Sequence, residues 1–259
     1  IKSANLSDYI ERLTSIIPAG KQIDYLVVDH MEPDHSGSIR MLRQLYPNMK
    51  IVGNKKTIEM LGAFYDIADG MVEVKEGDVL DLGYHKLTFA LIPMVHWPES
   101  MVSYDVTEKV LFSTDAFGGF SALEGGIFDD ELDMAHYESE TLRYFANIVG
   151  RYAAPTQKAI AKVRGLDLKT ICPAHGPIYR TNPWHIVDLY DKWSRHDTEE
   201  GVVVVYGSMY GNTKFMTDAI ARSLSENGIK NVIVHDASRS NISFMVRDIW
   251  NYRGLVIGS

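Results

Sequence analysis

The feature that most constrains this chain is a cluster of metal-ligand residue types near its N-terminus. Residues 29–35 read Asp-His-Met-Glu-Pro-Asp-His, so His30, Glu32, Asp34 and His35 lie within six positions. Hydrophobic packing does not call for two histidines and two carboxylates together, and their like charges repel one another unless a cation compensates them. The chain is therefore expected to fold around a cation-binding site.

Three further candidate ligands, His96, Asp115 and His175, each follow a predicted strand. Short β-like runs bounded by turn or polar residues predict strands at residues 25–28, 50–52, 87–92, 110–112 and 170–171. Loops at strand ends are where α/β proteins gather functional groups from distant parts of the chain. Together with the N-terminal cluster there are seven candidates. They would give three donors to each of two metals and leave one carboxylate to bridge.

The remaining histidines are interpreted as structural: His85, His136, His185, His196 and His235. An isolated histidine is commonly satisfied by a hydrogen bond in the core or at a turn. The one cysteine, Cys172, excludes an intramolecular disulfide framework and favours a reducing compartment. We do not count it as a ligand.

The spacing H-x-[HE]-x-D-H, followed by a lone His, a lone Asp and a final His, resembles the metallo-β-lactamase superfamily. The zinc hydrolases of that superfamily carry His at the third motif position, where this chain has Glu32. An additional carboxylate makes the ligand set harder and shifts its preference from zinc towards iron. Together with the strings at residues 96–101 and 115–118, this variant resembles the flavodiiron proteins, also called A-type flavoproteins.

The resemblance implies two non-haem iron ions, each with its own protein ligands. The ligands implied for one iron are His30, Glu32 and His96. Those implied for the other are Asp34, His35 and His175, with Asp115 bridging the two. The implied fold is an αββα sandwich with the site at one edge of its two packed sheets.

Helical periodicity predicts helices at residues 37–45, 56–63, 140–163 and 184–194.

The second part of the chain has the pattern of a βαβ unit. The charged stretch 195–200 is predicted to be a linker, and the unbroken apolar run 202–206 is typical of a strand buried on both faces of a parallel sheet. A helix is predicted at residues 214–227, and further strands at 231–234 and 254–257.

A loop of small and hydroxyl residues lies between the first strand of this unit and its helix: Gly207, Ser208, Met209, Tyr210, Gly211, Asn212 and Thr213. Backbone N–H groups of such a loop can bind a phosphate monoester. The Walker lysine and G-x-G-x-x-G are absent, which disfavours ATP and dinucleotides. An ordinary capped βα turn explains the string equally well. The string resembles the flavodoxin phosphate loop, [ST]-x-[ST]-G-x-[ST], with Tyr210 as a departure, and so implies an FMN site at residues 208–213.

The α/β chain is therefore expected to hold a metallo-β-lactamase-like di-iron domain at residues 1–198 and the start of a doubly wound, flavodoxin-like FMN domain at residues 201–259. Flavodiiron proteins carry these two domains in the same order. A flavodoxin-like domain needs about 100–150 residues to close its core. We therefore expect a fragment, without its opening strands and without the loops that hold the flavin ring.

The resemblance implies an oxidoreductase that reduces dioxygen to water, nitric oxide to nitrous oxide, or both. Electrons would reach FMN from rubredoxin, a flavin reductase or reduced deazaflavin, and a head-to-tail homodimer would bring FMN to the partner's iron. The net charge of −8 argues against nucleic-acid or anionic-membrane partners. The apolar runs are too short to span a bilayer, and a cytoplasmic location is expected.

Two alternatives remain open from the residues alone. One is a zinc-dependent hydrolase of the same superfamily, in which the metal activates water. Glu32 and the FMN-like loop both count against it. The other is an electron carrier with a structural metal, but structural sites tend to be closed, whereas seven ligands on two metals leave open positions.

Overall fold

A computed structural model of the protein describes residues 5–18 and 20–259. The chain forms two compact units, one made of Ile1–Ala116 and Ala161–Ala174 and the other of Phe117–Ile160 and His175–Ser259. Both contain helices and sheets, so the predicted α/β class is confirmed.

The first unit contains two β-sheets. The first has three parallel strands in the order β1 (Tyr25–Val27), β2 (Lys50–Gly53) and β3 (Met71–Glu73). The second has five strands in chain order: β4 (Val79–Asp81), β5 (Lys86–Leu91), β6 (Met101–Asp105), β7 (Val110–Thr114) and β8 (Thr170–Pro173). Its pairs are antiparallel except β7 and β8, which run parallel. Four helices belong to this unit: α1 (Leu6–Ile16), α2 (Pro33–Ser36), α3 (Ile39–Leu45) and α4 (Lys55–Tyr65).

Successive residues of β2 are buried in two different hydrophobic cores. Val52 packs with Phe89 and Met101 of the five-stranded sheet, so the two sheets share one apolar core. Ile51 points to the opposite face, as alternation along a strand requires. There it packs with Ile39 of α3 and Leu61 of α4. The helices thus cover the outer face of the first sheet, which is one half of the predicted αββα sandwich.

The remaining elements follow in chain order: α5 (Met134–Tyr144), α6 (Ala153–Val163), α7 (Pro183–Ser194), β9 (Glu199–Tyr206), α8 (Asn212–Glu226), β10 (Val232–Asp236), α9 (Ile242–Asn251) and β11 (Tyr252–Gly258). The last three strands form a parallel sheet in the order β10-β9-β11. The central strand buries Val203 and Val204, which are 0% and 1% exposed. The predicted βαβ unit is therefore present.

The single helix predicted at residues 140–163 is wrong. After α5 the chain makes a π-helical turn (Phe145–Val149) and a 3-10 turn (Gly150–Tyr152) before α6 begins. The break contains Gly150, a poor helix former. Trp250 packs so closely there that a Cβ at position 150 would lie 2.8 Å from its ring.

The predicted linker at residues 195–200 is wrong in its last part, because β9 begins at Glu199 and pairs with β11 at that residue. The two compact units do not divide at this point. Arg143 of α5 donates a hydrogen bond to Ser243 of α9, so helices on either side of residue 200 belong to one unit. The domain boundaries 1–198 and 201–259 stay a prediction.

Within the described residues, every helix is too short or too polar to cross a lipid bilayer.

Candidate metal centre

Four of the seven predicted ligands converge at the strand ends of the first unit. His30 and Glu32 follow β1, His96 lies in the connection from β5 to β6, and Asp115 directly follows β7. One nitrogen or carboxylate oxygen from each of the four lies within 4.8 Å of the others. All four positions lie in the connections that follow strands.

The two imidazole rings face the same pair of carboxylate oxygens. Nε2 of His30 lies 3.3 Å from Oε2 of Glu32 and 3.1 Å from Oδ2 of Asp115. Nε2 of His96 lies 3.1 Å and 3.0 Å from those same two atoms. The four donor atoms therefore surround a common point.

This arrangement requires a positive charge. Nδ1 of His30 lies 2.8 Å from a carboxylate oxygen of Glu99, so in the neutral ring the proton sits on Nδ1 and the Nε2 lone pair faces Glu32 and Asp115. Burial lowers the pKa of His30, but the hydrogen bonds with Asp115 and Glu99 outweigh burial and raise it to about 10. A proton can supply that charge, and so can a metal cation, for which two imidazoles and two carboxylates are suitable ligands.

Asp115 is 2% exposed and directs its two oxygens towards different histidines. Oδ2 faces His30 and His96, whereas Oδ1 lies 3.1 Å from Nε2 of His35. That same Nε2 lies 3.6 Å from Oδ1 of Asp34. A carboxylate with an oxygen on each of two histidine groups has the geometry that a bridging ligand requires.

The local chain conformation presents these side chains. Asp34 and His35 lie in the single turn of α2, which Pro33 begins and which the Ser36 hydroxyl fastens by donating to the Met31 carbonyl at 2.7 Å. Thr114, just before Asp115, adopts the left-handed region with φ 53°. Backbone strain of this kind persists where the surrounding structure imposes it, and it clusters at functional sites.

His175 is the first residue of the second unit, two positions after the last residue of β8. Its carbonyl accepts a hydrogen bond from the Gly119 N–H at 3.2 Å, and its ring centroid lies 6.0 Å from that of Tyr144. Its role as the third donor beside Asp34 and His35 stays a prediction.

Glu99 lies beside the site, although no sequence pattern assigned it a role. Its Oε1 accepts hydrogen bonds from Nδ1 of His30 at 2.8 Å and from the Met31 N–H at 2.9 Å. Burial raises the pKa of Glu99, but these hydrogen bonds outweigh burial and hold it below its usual range. The available signal was its position three residues after His96, inside the string that carried the resemblance.

The loop predicted to bind phosphate turns at Gly211. Gly211 has φ 89°, and its N–H donates to the Ser208 hydroxyl at 3.0 Å. Met209 and Tyr210 are each 86% exposed, and α8 begins at Asn212. The helix N-terminus therefore follows directly on an accessible turn. The assignment of Ser208 to Thr213 as the FMN-binding residues stays a prediction.

The histidines interpreted as structural each have a protein neighbour. Three lie beside a carboxylate: His85 by Asp105, His185 by Glu138 and His235 by Asp248. The other two are His136 beside the Ser121 hydroxyl and His196 against the Trp250 ring. Among the described residues, none of these histidines belongs to a candidate metal group, and neither does the half-buried Cys172.

Comparison with known proteins assigns the family. Residues 3–176 match the family model described as ODP family beta lactamase, and the chain belongs to this family. It is 32% identical over 257 residues to the anaerobic nitric oxide reductase flavorubredoxin of Escherichia coli O1:K1, covering 97% of this chain and 53% of that protein. The chain thus spans about half the length of this curated relative.

Two solved structures show the same fold. Rubredoxin oxygen:oxidoreductase of Desulfovibrio gigas superposes with a TM-score of 0.91 at 32% identity. The match covers 95% of this chain and 62% of the Desulfovibrio gigas chain. The flavodiiron protein of Giardia intestinalis gives a TM-score of 0.94 at 28% identity. The match covers 100% of this chain and 63% of the Giardia intestinalis chain. The predicted resemblance to flavodiiron proteins and the metallo-β-lactamase-like fold are confirmed.

Proposed function

We propose that this protein is a di-iron oxidoreductase that reduces dioxygen to water, nitric oxide to nitrous oxide, or both. The observation that carries the proposal is the convergence of Glu32 with His30, His96 and Asp115 on one point. The carboxylate of Glu32 replaces the third-position histidine of the zinc hydrolases, and the harder oxygen donor favours iron. The names of the relatives, flavorubredoxin and flavodiiron protein, support the assignment to iron.

Each iron would be held by a separate group of side chains. The first group is His30, Glu32 and His96. The second is Asp34, His35 and His175, with Asp115 bridging. Bound iron supplies the one-electron chemistry and the open coordination positions at which a diatomic substrate reacts.

The protein's own residues control access and charge. The side chains of His30 and Asp115 are 1% and 2% exposed, whereas those of Glu32 and Asp34 are 36% and 31% exposed. The indole of Trp97 meets the His30 ring edge-on with centroids 5.3 Å apart, which excludes water from one side of that ligand. A small gas would therefore approach from the side of Glu32 and Asp34, and water could leave by the same side.

Electron delivery forms the second part of the proposal. Residues 208–213 would bind the phosphate of FMN through backbone N–H groups and the N-terminus of α8. FMN would receive electrons from rubredoxin, a flavin reductase or reduced deazaflavin, in a head-to-tail homodimer located in the cytoplasm. The name of the Desulfovibrio gigas relative supports a rubredoxin donor.

Metal analysis combined with a visible absorption spectrum tests the proposal. Iron together with flavin is the expected result. Zinc without flavin would replace the proposal by a zinc-dependent hydrolase, and flavin with an inert, closed metal would replace it by an electron carrier. Stopped-flow reoxidation of the reduced protein with each gas in turn then identifies the substrate. Reoxidation by neither gas would overturn the reductase assignment.

A further inference from the structure

Glu99 is buried beside a candidate ligand without contributing to the metal group itself. Its side chain is 0% exposed, and its Oε1 contacts Nδ1 of His30 on the side of the ring opposite to the candidate ligand atom Nε2. Its other oxygen, Oε2, is buried and has no hydrogen-bond partner within the described part of the chain. A buried carboxylate of this kind is costly unless a nearby cation compensates its charge.

The backbone holds Glu99 in place at several points. Its Oε1 also accepts from the Met31 N–H, and its carbonyl accepts from the side-chain amide of Asn54. Two residues later, the Met101 N–H donates to the Asp29 carbonyl at 3.0 Å. The loop that carries Glu99 is thereby tied to the loop that carries His30, so that Glu99 is held beside the His30 ring.

The pairing has two consequences for a cation at Nε2 of His30. A proton on Nδ1 leaves the lone pair on Nε2, which is the tautomer that binds metal. The negative charge behind the ring makes the imidazole a stronger donor and favours the more highly charged oxidation state of the metal. Glu99 contacts the ring of His30 directly, so its effect should concentrate on one of two metals.

We infer that Glu99 is a positioning residue for the metal at His30, holding the ring in its metal-binding tautomer and lowering the reduction potential of that metal relative to the other. The inference rests on the proposed di-iron function. It extends that function by distinguishing the two metals, which the ligand types alone do not do.

The test compares Glu99→Gln with Asp105→Asn. Gln keeps the shape and an acceptor oxygen for His30 but removes the charge. Asp105 pairs with His85 at 2.7 Å, the same kind of contact at a histidine outside the metal group, and so provides a matched control. Ferrous iron is loaded anaerobically and competed with a chelator. Mössbauer spectra of iron-57 protein resolve the two ions, and a redox titration gives their potentials.

Loss of the charged partner is expected to lower the binding affinity for one of the two irons about 10- to 100-fold. It should change one Mössbauer doublet, shift one potential to more positive values and leave the other ion as in the wild type. Asp105→Asn should leave both ions unchanged. Equal effects on both ions, or none, in Glu99→Gln would overturn the inference.

A second measurement needs no substitution and covers the case in which the variant does not fold. In the zinc-loaded, diamagnetic wild type, nitrogen-15 spectra should show an Nδ1–H of His30 that is shifted downfield and protected from exchange. An exchanging or absent Nδ1–H would overturn the inference. Competition of zinc with iron for the protein also separates the two proposals. If the wild type binds zinc but not iron, the proposed function is wrong. The zinc affinities of Glu99→Gln then still decide the role of Glu99.

Discussion

Asp115 gives each of its carboxylate oxygens to a different set of histidines, with Oδ2 facing His30 and His96 and Oδ1 facing His35. A single buried side chain therefore links the two predicted ligand groups. Glu32 has a different part, because it contacts only the first group and is the residue that separates this site from the zinc-hydrolase pattern. At the scale of single residues, Asp115 would account for the pairing of the two predicted groups and Glu32 for the metal preference of the first.

Replacing Glu32 by histidine should move that preference towards zinc. Glu32→His exchanges an anionic oxygen for a neutral nitrogen and removes one negative charge beside the metals. We expect a lower ratio of iron to zinc after growth with both metals and slower gas reduction. Elemental analysis and stopped-flow reoxidation measure the two effects. Glu138→His, which alters an exposed carboxylate beside His185, is the control. Unchanged iron content and turnover in Glu32→His would show that Glu32 is not a ligand.

At the scale of secondary-structure elements, Asn54 connects helix α4 to the loop of Glu99. Its Oδ1 accepts from the backbone N–H groups of Lys56 and Thr57 at the start of the helix, while its Nδ2 donates to the Glu99 carbonyl. One side chain thus begins α4 and fixes the loop that orients His30.

Removing this side chain should cost more than removing an ordinary helix cap. Asn54→Ala loses a cap worth about 0.5–2 kcal/mol and also leaves the buried Glu99 carbonyl without this donor, at about 1–3 kcal/mol. Asn241 caps α9 through the Ser243 N–H alone, so Asn241→Ala is the matched control. Urea unfolding should show the larger loss for Asn54→Ala. Equal losses would mean that the hydrogen bond to Glu99 contributes nothing to stability.

The loop before α8 should bind flavin independently of the metals. Thr213→Val removes a hydroxyl and keeps the shape, which costs about 1.5–3 kcal/mol if that hydroxyl binds the FMN phosphate. FMN affinity should fall about tenfold to a hundredfold. Iron content should not change, because the predicted metal ligands all precede residue 200. FMN titration of the flavin-free protein, with iron measured in the same samples, tests this.

Gly211 provides a second variant of the same loop. At φ 89° any side chain strains the backbone, although a Cβ there would meet no atom within 4 Å. Gly211→Val should therefore act through loop conformation rather than through a clash. Normal FMN affinity in both Gly211→Val and Thr213→Val would reduce the loop to an ordinary βα turn.

At the scale of the whole molecule, the metal centre should make stability depend on pH in the iron-free form. The pKa of His30 is about 10 in the folded chain and 6.5 in the reference state, so its contribution is complete below pH 6.5 and is lost as pH rises towards 10. Between pH 7 and 8.5 the contribution of His30 should fall by about 2 kcal/mol, at 1.36 kcal/mol for each pH unit. Burial raises the pKa of Asp29 to about 7, so its titration adds a smaller loss near the lower end of this window.

Urea unfolding of the chelated protein at several pH values measures this slope. The window ends at pH 8.5 because burial raises the pKa of Cys172, whose titration adds to the effect above that value. Iron-loaded protein is the comparison, since bound metal replaces the proton on His30 and should abolish the decline. A flat profile for the iron-free form would contradict the geometry around His30.

Much of the fold follows from local patterns. The runs predicted at residues 87–92 and 202–206 became β5 and β9, because short apolar runs bounded by turn or polar residues favour strands. Three strands, β3, β4 and β6, were not predicted. β3 and β4 have three residues each, and so short a run carries almost no periodicity and is stabilised by its neighbours in the sheet. β6 is buried at all five positions between β5 and β7, so its polar residues do not alternate with apolar ones as in a half-buried strand. The helix break near Gly150 depends on Trp250, a hundred positions away, and no local pattern contains that contact.

The amino-acid sequence by itself determined the chemistry of the site. Residue types and spacing select the predicted ligands, and Glu32 distinguishes this predicted set from that of the zinc hydrolases. Only the tertiary structure decided which atoms face one another: that both oxygens of Asp115 are used, and that Glu99 stands behind His30. The physical reason is that ligand type is a property of each residue. Orientation, tautomer and buried charge arise instead from contacts between segments that lie about 70 residues apart.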